Sequence, residues 1–441
     1  MKAMKERDLG RRRALLRAAA SAAVGGVAPI PAGAQSPVRT GARIVIAGAG
    51  AAGLAAASRL AARVQGAKII LIDARREHFY QPGFTLVAAG IKPRGYVVSR
   101  TEDYVPRDVQ WIQDAVAEID PDANKVVTSA GTAVSYDFLI LATGLELGYD
   151  QIEGMEVERI GKDGLGSLYH SPQAAEATWH AMAAFSQRGG VGLFGRPATE
   201  MKCAGAPLKY TFITDDRLRR AGMRSKAELH YMAHNKALFS VPIVSEKVRM
   251  LYRDRGVKVH YEHVLQSIDP GRRIAVYRTP AGLVEQRYDF INVVPPMRAP
   301  RPVRESPLRW QQGPWAAQGW AEVDKATLRH VRYPNVFAVG DVAGVPKGKT
   351  AASVKWQVPV AVDHLVADLG GRPATETYNG YTSCPLITRL GRAMLIEFDY
   401  EDNLVQSFPG VIAPLEELWV SWVMKTMALK PTYLAMLHGR A

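Results

Sequence analysis

Residues 43–73 read RIVIAGAGAAGLAAASRLAARVQGAKIILID. A short apolar run, Arg43 to Ala47, meets Gly48-Ala49-Gly50-Ala51-Ala52-Gly53 and then an Ala/Leu-rich stretch to Ala62. Lys68 to Ile72 is a second apolar run, and it ends in Asp73, twenty residues beyond the last glycine. This order predicts strand, G-x-G-x-x-G turn, helix, strand and acid. Gly48 makes the tight turn, Gly50 lets the backbone approach a pyrophosphate, and Gly53 lets helix and strand pack closely. The helix N-terminus favours the phosphate charge, and Asp73 is placed to accept hydrogen bonds from a ribose. The stretch therefore predicts an α/β dinucleotide-binding domain.

Two further stretches distinguish FAD from NAD. YDFLILATG (Tyr136–Gly144) is an apolar strand ending at Thr143-Gly144, and YPNVFAVGDVAG (Tyr333–Gly344) is another, ending in Gly340-Asp341. Together they resemble the marks of flavoproteins with two dinucleotide domains, which implies that Asp341 binds FAD. Their separation requires an FAD domain interrupted by an insertion. The expected organisation is FAD-domain segments over 40–150 and 299–375, with a second Rossmann-like domain over 151–298 between them. Residues 376–441 form a C-terminal segment. In the insertion, Val191-Gly192-Leu193-Phe194-Gly195-Arg196-Pro197 stands where a second phosphate loop belongs. The glycine spacing is wrong, and Pro197 offers no N–H. A nicotinamide site is not expected, which disfavours a pyridine-nucleotide disulfide reductase.

Charge and the N-terminus set the compartment. The net charge is +14, and residues 1–34 supply seven Lys/Arg against two Asp/Glu. The remainder has no arginine-rich arm or basic helix, so nucleic acid is not an expected partner. Arg11-Arg12-Arg13 precedes a weakly apolar run ending in Ala32-Gly33-Ala34, which resembles a twin-arginine export signal. The expectation is an exported, periplasmic protein, with an oxidising compartment around its cysteines.

There are only two cysteines, Cys203 and Cys384. Cys203 follows the missing phosphate loop and has Lys202 and Lys209 nearby, which would favour its thiolate. Cys384 precedes Pro385 in an expected loop. A redox pair and a structural clip are both open on these residues alone. Lys349 and Thr350 open a helical run from Ala351 to Leu369, expected to be interrupted near Pro359. Lys349 and that helix N-terminus, opened by Thr350, could stabilise negative charge on a reduced flavin; a solvated lysine is the plainer alternative. His230 and His234 stand four apart without a further ligand, so a helical or surface pair is expected and no metal.

Four stretches carry a closer resemblance: HFYQPGFTLVAAG (His78–Gly90), KCAGAP (Lys202–Pro207), GKTAASV (Gly348–Val354) and YTSCPLIT (Tyr381–Thr388). They resemble sulfide:quinone oxidoreductase, in particular its mitochondrial-like branch with two catalytic cysteines. The resemblance implies sulfide oxidation through a Cys203–Cys384 disulfide and persulfide, with two electrons passing through FAD to a membrane quinone. Polysulfide or a transferred sulfane sulfur is the implied product. It also implies that Cys384 carries the persulfide and Cys203 faces the flavin. FAD is expected to be non-covalent, because no cysteine precedes Cys203. Its relative, the flavin subunit of flavocytochrome c sulfide dehydrogenase, is the alternative with a cytochrome c partner. A non-catalytic FAD-bound sulfur carrier is another.

The last stretch, PLEELWVSWVMKTMALKPTYLAMLHGRA (Pro414–Ala441), places Leu415, Leu418, Trp419, Trp422 and Val423 on one helical face, with Glu416, Glu417 and Lys425 elsewhere. Pro431 is expected to break the run. A core or dimer helix fits this pattern as well as one lying in a membrane interface; a quinone substrate favours the second. Phe79, Tyr80 and the C-terminal helices are the expected quinone contacts. A homo-oligomer stays open.

Overall fold

The computed structural model describes residues 36–441; the signal expected over 1–34 lies outside the described residues. The first sheet is five-stranded and parallel, in the order Val336–Ala338, Phe138–Leu141, Arg43–Ala47, Lys68–Ile72, Val109–Ile112. Ile44, Val45, Ile46 and Ala47 are fully buried, as they must be in a parallel sheet covered on both faces. The chain leaves this sheet after Leu141 and returns to it only at Val336, so the domain is interrupted.

Between those points lies a second five-stranded parallel sheet. Its order is Leu165–Gly166, Phe290–Asn292, Gly190–Gly195, Ala227–Met232, Val257–His260. Each sheet is accompanied by a three-stranded antiparallel sheet, Val116–Asp120 with Lys125–Thr128 and Ala133–Ser135, and Val264–Asp269 with Ile274–Thr279 and Gly282–Arg287.

Three local expectations are corrected. The Ala351–Leu369 helix runs unbroken through Pro359. Val354, Val358, Ala361 and Leu365 are buried and the helix packs on the Ala51–Arg63 helix, which outweighs the missing hydrogen bond. Cys384 lies in a strand, Thr382–Arg389, paired antiparallel with Arg392–Phe398. In a two-stranded ladder alternate N–H groups face outward, so Pro385 need not break it. His230 is in the Ala227–Met232 strand, where its ring stacks on His260, and His234 lies in the loop beyond.

The C-terminal run also differs. Leu415 and Leu418 precede the helix, which starts as Trp419–Val423, continues as a π turn over Met424–Ala428, and resumes as Leu429–Leu437. Pro431 does not end it. The wider π turn just before displaces the carbonyl that a regular helix would set against the proline ring. The tail docks on the first domain, where Leu437 O accepts from Ser58 Oγ (2.6 Å) and Ala441 O from Arg59 Nη2 (2.6 Å).

Candidate active site at the junction of the two domains

The glycine turn has the geometry its residues predict. Gly48 has φ +107°, and a Cβ there would stand 2.5 Å from Ala142 O. A Cβ on Gly53 would lie 1.7 Å from Gly48 O, whereas one on Gly50 meets nothing within 4 Å. Gly50 is thus the position left open for close approach. The Ala51–Arg63 helix has no side-chain cap at its N-terminus. Asp73 accepts from Ala49 N (2.8 Å) and pairs with Arg75 Nη2 (3.1 Å). Burial opposes its charge, but Arg75 leaves it below the usual carboxylate range.

Thr143 and Gly144 end the adjoining strand, and Thr143 Oγ1 is buried with no hydrogen-bond partner. Asp341 sits in the Gly340–Val342 turn, and burial raises its carboxyl pKa against the lowering charges of Lys202 and Lys349. An open glycine, an uncapped helix start, an orphaned hydroxyl and a buried acid together fit FAD. Gly48, Gly50, Gly53, Asp73, Thr143, Gly144 and Asp341 are the residues that could hold it.

Lys349 and Thr350 stand at the same junction and could also face the cofactor. Lys349 Nζ donates to Asp341 O (2.7 Å) and Ala343 O (2.9 Å), and lies 3.7 Å from the centre of the Trp320 ring. It is not a solvated lysine: it is 5% exposed, and burial brings it down to about 8. Its backbone carbonyl accepts from Cys203 N (2.9 Å), so one residue ties the Asp341 turn to the cysteine loop. Thr350 is the N-cap of the long helix, its Oγ1 accepting from Ser353 N (3.1 Å).

The two cysteines meet. Both are free thiols, Cys384 buried and Cys203 half-buried. Cys203 holds a left-handed backbone, φ +49°, a conformation that non-glycine residues rarely adopt. Three bonds hold the loop there: Cys203 N to Lys349 O, Ala206 N to Cys203 O (2.8 Å), and Tyr169 Oη to Cys203 O (3.2 Å). The Ala206–Arg220 helix starts directly below, its capping residue Gly205 lying against Cys384 Sγ. A hydrogen bond from the Cys384 thiol, the Lys209 and Lys425 charges, and Lys209 Nζ at 3.5 Å hold Cys203 far below an ordinary thiol, although burial opposes this. The same hydrogen bond, with burial, pushes Cys384 up. The surroundings therefore favour the thiolate at Cys203 over that at Cys384.

The sequence pattern missed Lys425. It lies in the π turn, where it is 3% exposed and donates to Pro82 O (2.9 Å). Burial and the Lys209 charge lower it to about 8. A lone lysine in the apolar run VMKTMAL was the available signal. Tyr169 and Tyr433 carried no signal at all.

Tyr80 is brought to this helix too. Tyr80 stands 4.9 Å from Tyr433 and 6.0 Å from Tyr96, ring centre to ring centre, and Phe79 stands 6.3 Å from Phe84. Tyr433 Oη lies 2.7 Å from His78 Nε2, and burial with the Arg75 charge holds that histidine neutral, down to about 4. His230 and His234 stay outside the site, and no group of three or more His, Cys, Asp or Glu side chains among the described residues could hold a metal.

An interrupted dinucleotide fold with a cofactor cradle and a converging thiol pair defines an FAD-binding disulfide-reductase-type oxidoreductase. The pyridine nucleotide-disulphide oxidoreductase family model matches residues 42–181. Sulfide:quinone oxidoreductase, mitochondrial, of Dictyostelium discoideum is 37% identical over 368 residues, 83% of this chain and 80% of that protein. Its Mus musculus counterpart is 36% identical over 369 residues, with the same coverage of each chain. The chain belongs to the sulfide:quinone oxidoreductase family. The solved sulfide:quinone oxidoreductase of Aquifex aeolicus shares the fold, with a TM-score of 0.74 at 20% identity, over 90% of this chain and 91% of that one.

Proposed function

We propose that this protein oxidises sulfide through Cys203 and Cys384 and delivers two electrons by way of FAD to a membrane quinone. The observation that carries this reading is the thiol pair itself. Two residues distant in sequence meet at the domain junction, beside two buried lysines and next to the cofactor cradle.

Starting from the oxidised pair, hydrosulfide attacks Cys384 Sγ. The S–S bond breaks, the incoming sulfur stays on Cys384 as a persulfide, and Cys203 leaves as a thiolate carrying the electron pair. Lys209 stabilises that thiolate from 3.5 Å, and a stabilised leaving thiolate speeds exchange. A second sulfur nucleophile then removes the outer sulfur from Cys384. With hydrosulfide in that role the product is a polysulfide. The Cys384 thiolate closes again on Cys203 as two electrons depart, which restores the disulfide. FAD, when bound, supplies the two-electron acceptor and the link to quinone. Lys349 keeps the Asp341 turn and the cysteine loop in register while this occurs.

The quinone end is supported by the joining of the Tyr80–Pro82 segment and the C-terminal helix through the Tyr80–Tyr433 contact and the Lys425–Pro82 bond, with Phe79 next to Tyr80 in the chain. Trp419, Met427 and Val411 are 37%, 57% and 70% exposed, an apolar set suited to the membrane surface. No described helix is long and apolar enough to cross a membrane. Export rests on the sequence of residues 1–34; two relatives carry the word mitochondrial in their names. Substituting Arg11 and Arg12 by lysine should leave the protein in the bacterial cytoplasm on fractionation.

The deciding experiment is an anaerobic sulfide titration of the FAD-replete protein, read by flavin absorbance. The flavin should bleach with sulfide and recover with a soluble quinone, and Cys203→Ala should do neither while still binding FAD. Recovery with cytochrome c and not with quinone would overturn the acceptor.

A further inference from the structure

The second domain also has an unclaimed crevice at the carboxyl ends of its parallel strands, the place where open α/β sheets take up ligands. Gly195, Met232 and Asn292 end their strands there, and they line a cavity of about 320 Å³ together with Arg196, Thr199 and Gln266. Asn292 is 2% exposed, yet neither its Oδ1 nor its Nδ2 has a hydrogen-bond partner. Arg196 makes no ion pair among the described residues, and its Nε is buried without a partner. Arg278 stands on the rim, and no carboxylate lines the cavity. Glu262 belongs to the adjoining, more open recess, with His234 and Lys236.

We infer that this crevice is a binding site for an organic anion of nucleoside-monophosphate size, with Arg196 and Arg278 taking the anion and Asn292 reading a donor–acceptor edge. A buried amide with both ends unmet is costly, and a ligand that offers one donor and one acceptor removes the cost. A guanidinium without a carboxylate suits a phosphate or carboxylate group. The edge complementary to asparagine is that of adenine, an acceptor beside an amino group. A dinucleotide is excluded by the same geometry. The helix that would receive its pyrophosphate begins at Ala206, and the space above Gly205 is filled by Cys384 Sγ. A cavity of this volume is also at the small end for ligand sites. The loop from Pro197 to Cys203 connects the crevice to the thiols, with Thr199 Oγ1 held by Met297 N (2.9 Å).

The test uses full-length protein saturated with FAD, so that the cofactor's own adenine site is filled. Equilibrium dialysis with 5′-AMP should show one saturable site. Adenosine and inorganic phosphate should each bind at least about tenfold more weakly, because each keeps only half of the contacts. Inosine monophosphate, with a carbonyl in place of the amino group, should also lose affinity. Arg196→Gln and Asn292→Leu should each weaken AMP binding by about tenfold or more at unchanged flavin content. Asn292→Leu should in addition raise the melting temperature of the AMP-free protein, since it removes an unpaired buried amide. Absent saturable AMP binding, binding indifferent to Arg196→Gln, or phosphate binding as tightly as AMP would each overturn the inference. If Asn292→Leu fails to retain flavin, Arg196→Gln alone decides.

Discussion

Substituting Gly205 by alanine isolates the position of one sulfur atom. Gly205 has φ −81° and ψ −5°, so its backbone accepts any L-residue and no conformational strain enters. A Cβ there would stand 2.3 Å from Cys384 Sγ, against the 3.4 Å at which ordinary contact begins. The sulfur must therefore retreat by about 1.1 Å, the difference between those two distances. Rotation about its short side chain allows this, so the fold should survive with a loss of about 1 kcal/mol, part of it from alanine being a poorer N-cap than glycine. Chemistry is less forgiving. A misplacement of about 1 Å in a reacting group can lower a rate by roughly 100-fold, and a disulfide requires the two sulfurs at about 2.05 Å. Gly205→Ala should bind FAD and melt near the wild type, while sulfide-dependent flavin bleaching slows by about 100-fold. Alkylation followed by mass measurement should find a larger fraction of free thiols under air than in the wild type. Wild-type bleaching with a complete Cys203–Cys384 disulfide would show that Cys384 Sγ is not held against Gly205, and the site geometry would fall with it.

Four further outcomes follow from named contacts. Lys209→Met should move the pH profile of Cys203 alkylation to higher pH, because the cation that favours its thiolate is gone; an unmoved profile would exclude Lys209 from that role. Lys425 titrates near about 8 when folded and near about 10.4 when unfolded, so the unfolded chain binds more protons between those values and stability rises with pH there. The melting temperature of Lys425→Met relative to wild type should accordingly be more favourable at pH 7 than at pH 10, and the reverse order refutes the burial of a strained charge. Thr350→Ala removes the N-cap of the Ala351–Leu369 helix and should cost about 1 kcal/mol in chemical denaturation, without changing alkylation of Cys203. Tyr433→Phe leaves buried His78 without its partner and should cost about 1–3 kcal/mol, with earlier proteolysis of the C-terminal helix.

Legibility followed the length scale of each signal. Gly48, Gly50 and Gly53 were readable because three constraints fall within one local turn, and Asp73 because it ends the next strand, where its side chain accepts from Ala49 N of that turn. The interruption of the first sheet was readable for the same reason, since Thr143-Gly144 and Gly340-Asp341 each end a strand locally. Proline misled at Pro359 and Pro431, where the expectation weighed the lost hydrogen bond and could not weigh the packing around it. Cys384 read as a loop because Pro385 argues against a ladder, and only the two-stranded pairing shows why it is tolerated.

The sequence by itself determined the dinucleotide turn, the interrupted domain and the choice of two cysteines, because these depend on residue type and local spacing. Lys209 is already near Cys203 in sequence; tertiary structure alone brought the other groups to the thiols. Lys425 and Tyr169 reach Cys203 from distant elements, and Lys349 reaches it through a backbone carbonyl. Electrostatic interaction depends on distance and burial, quantities that sequence separation does not encode; Lys425, distant in sequence from both cysteines, is buried with its charge acting on them.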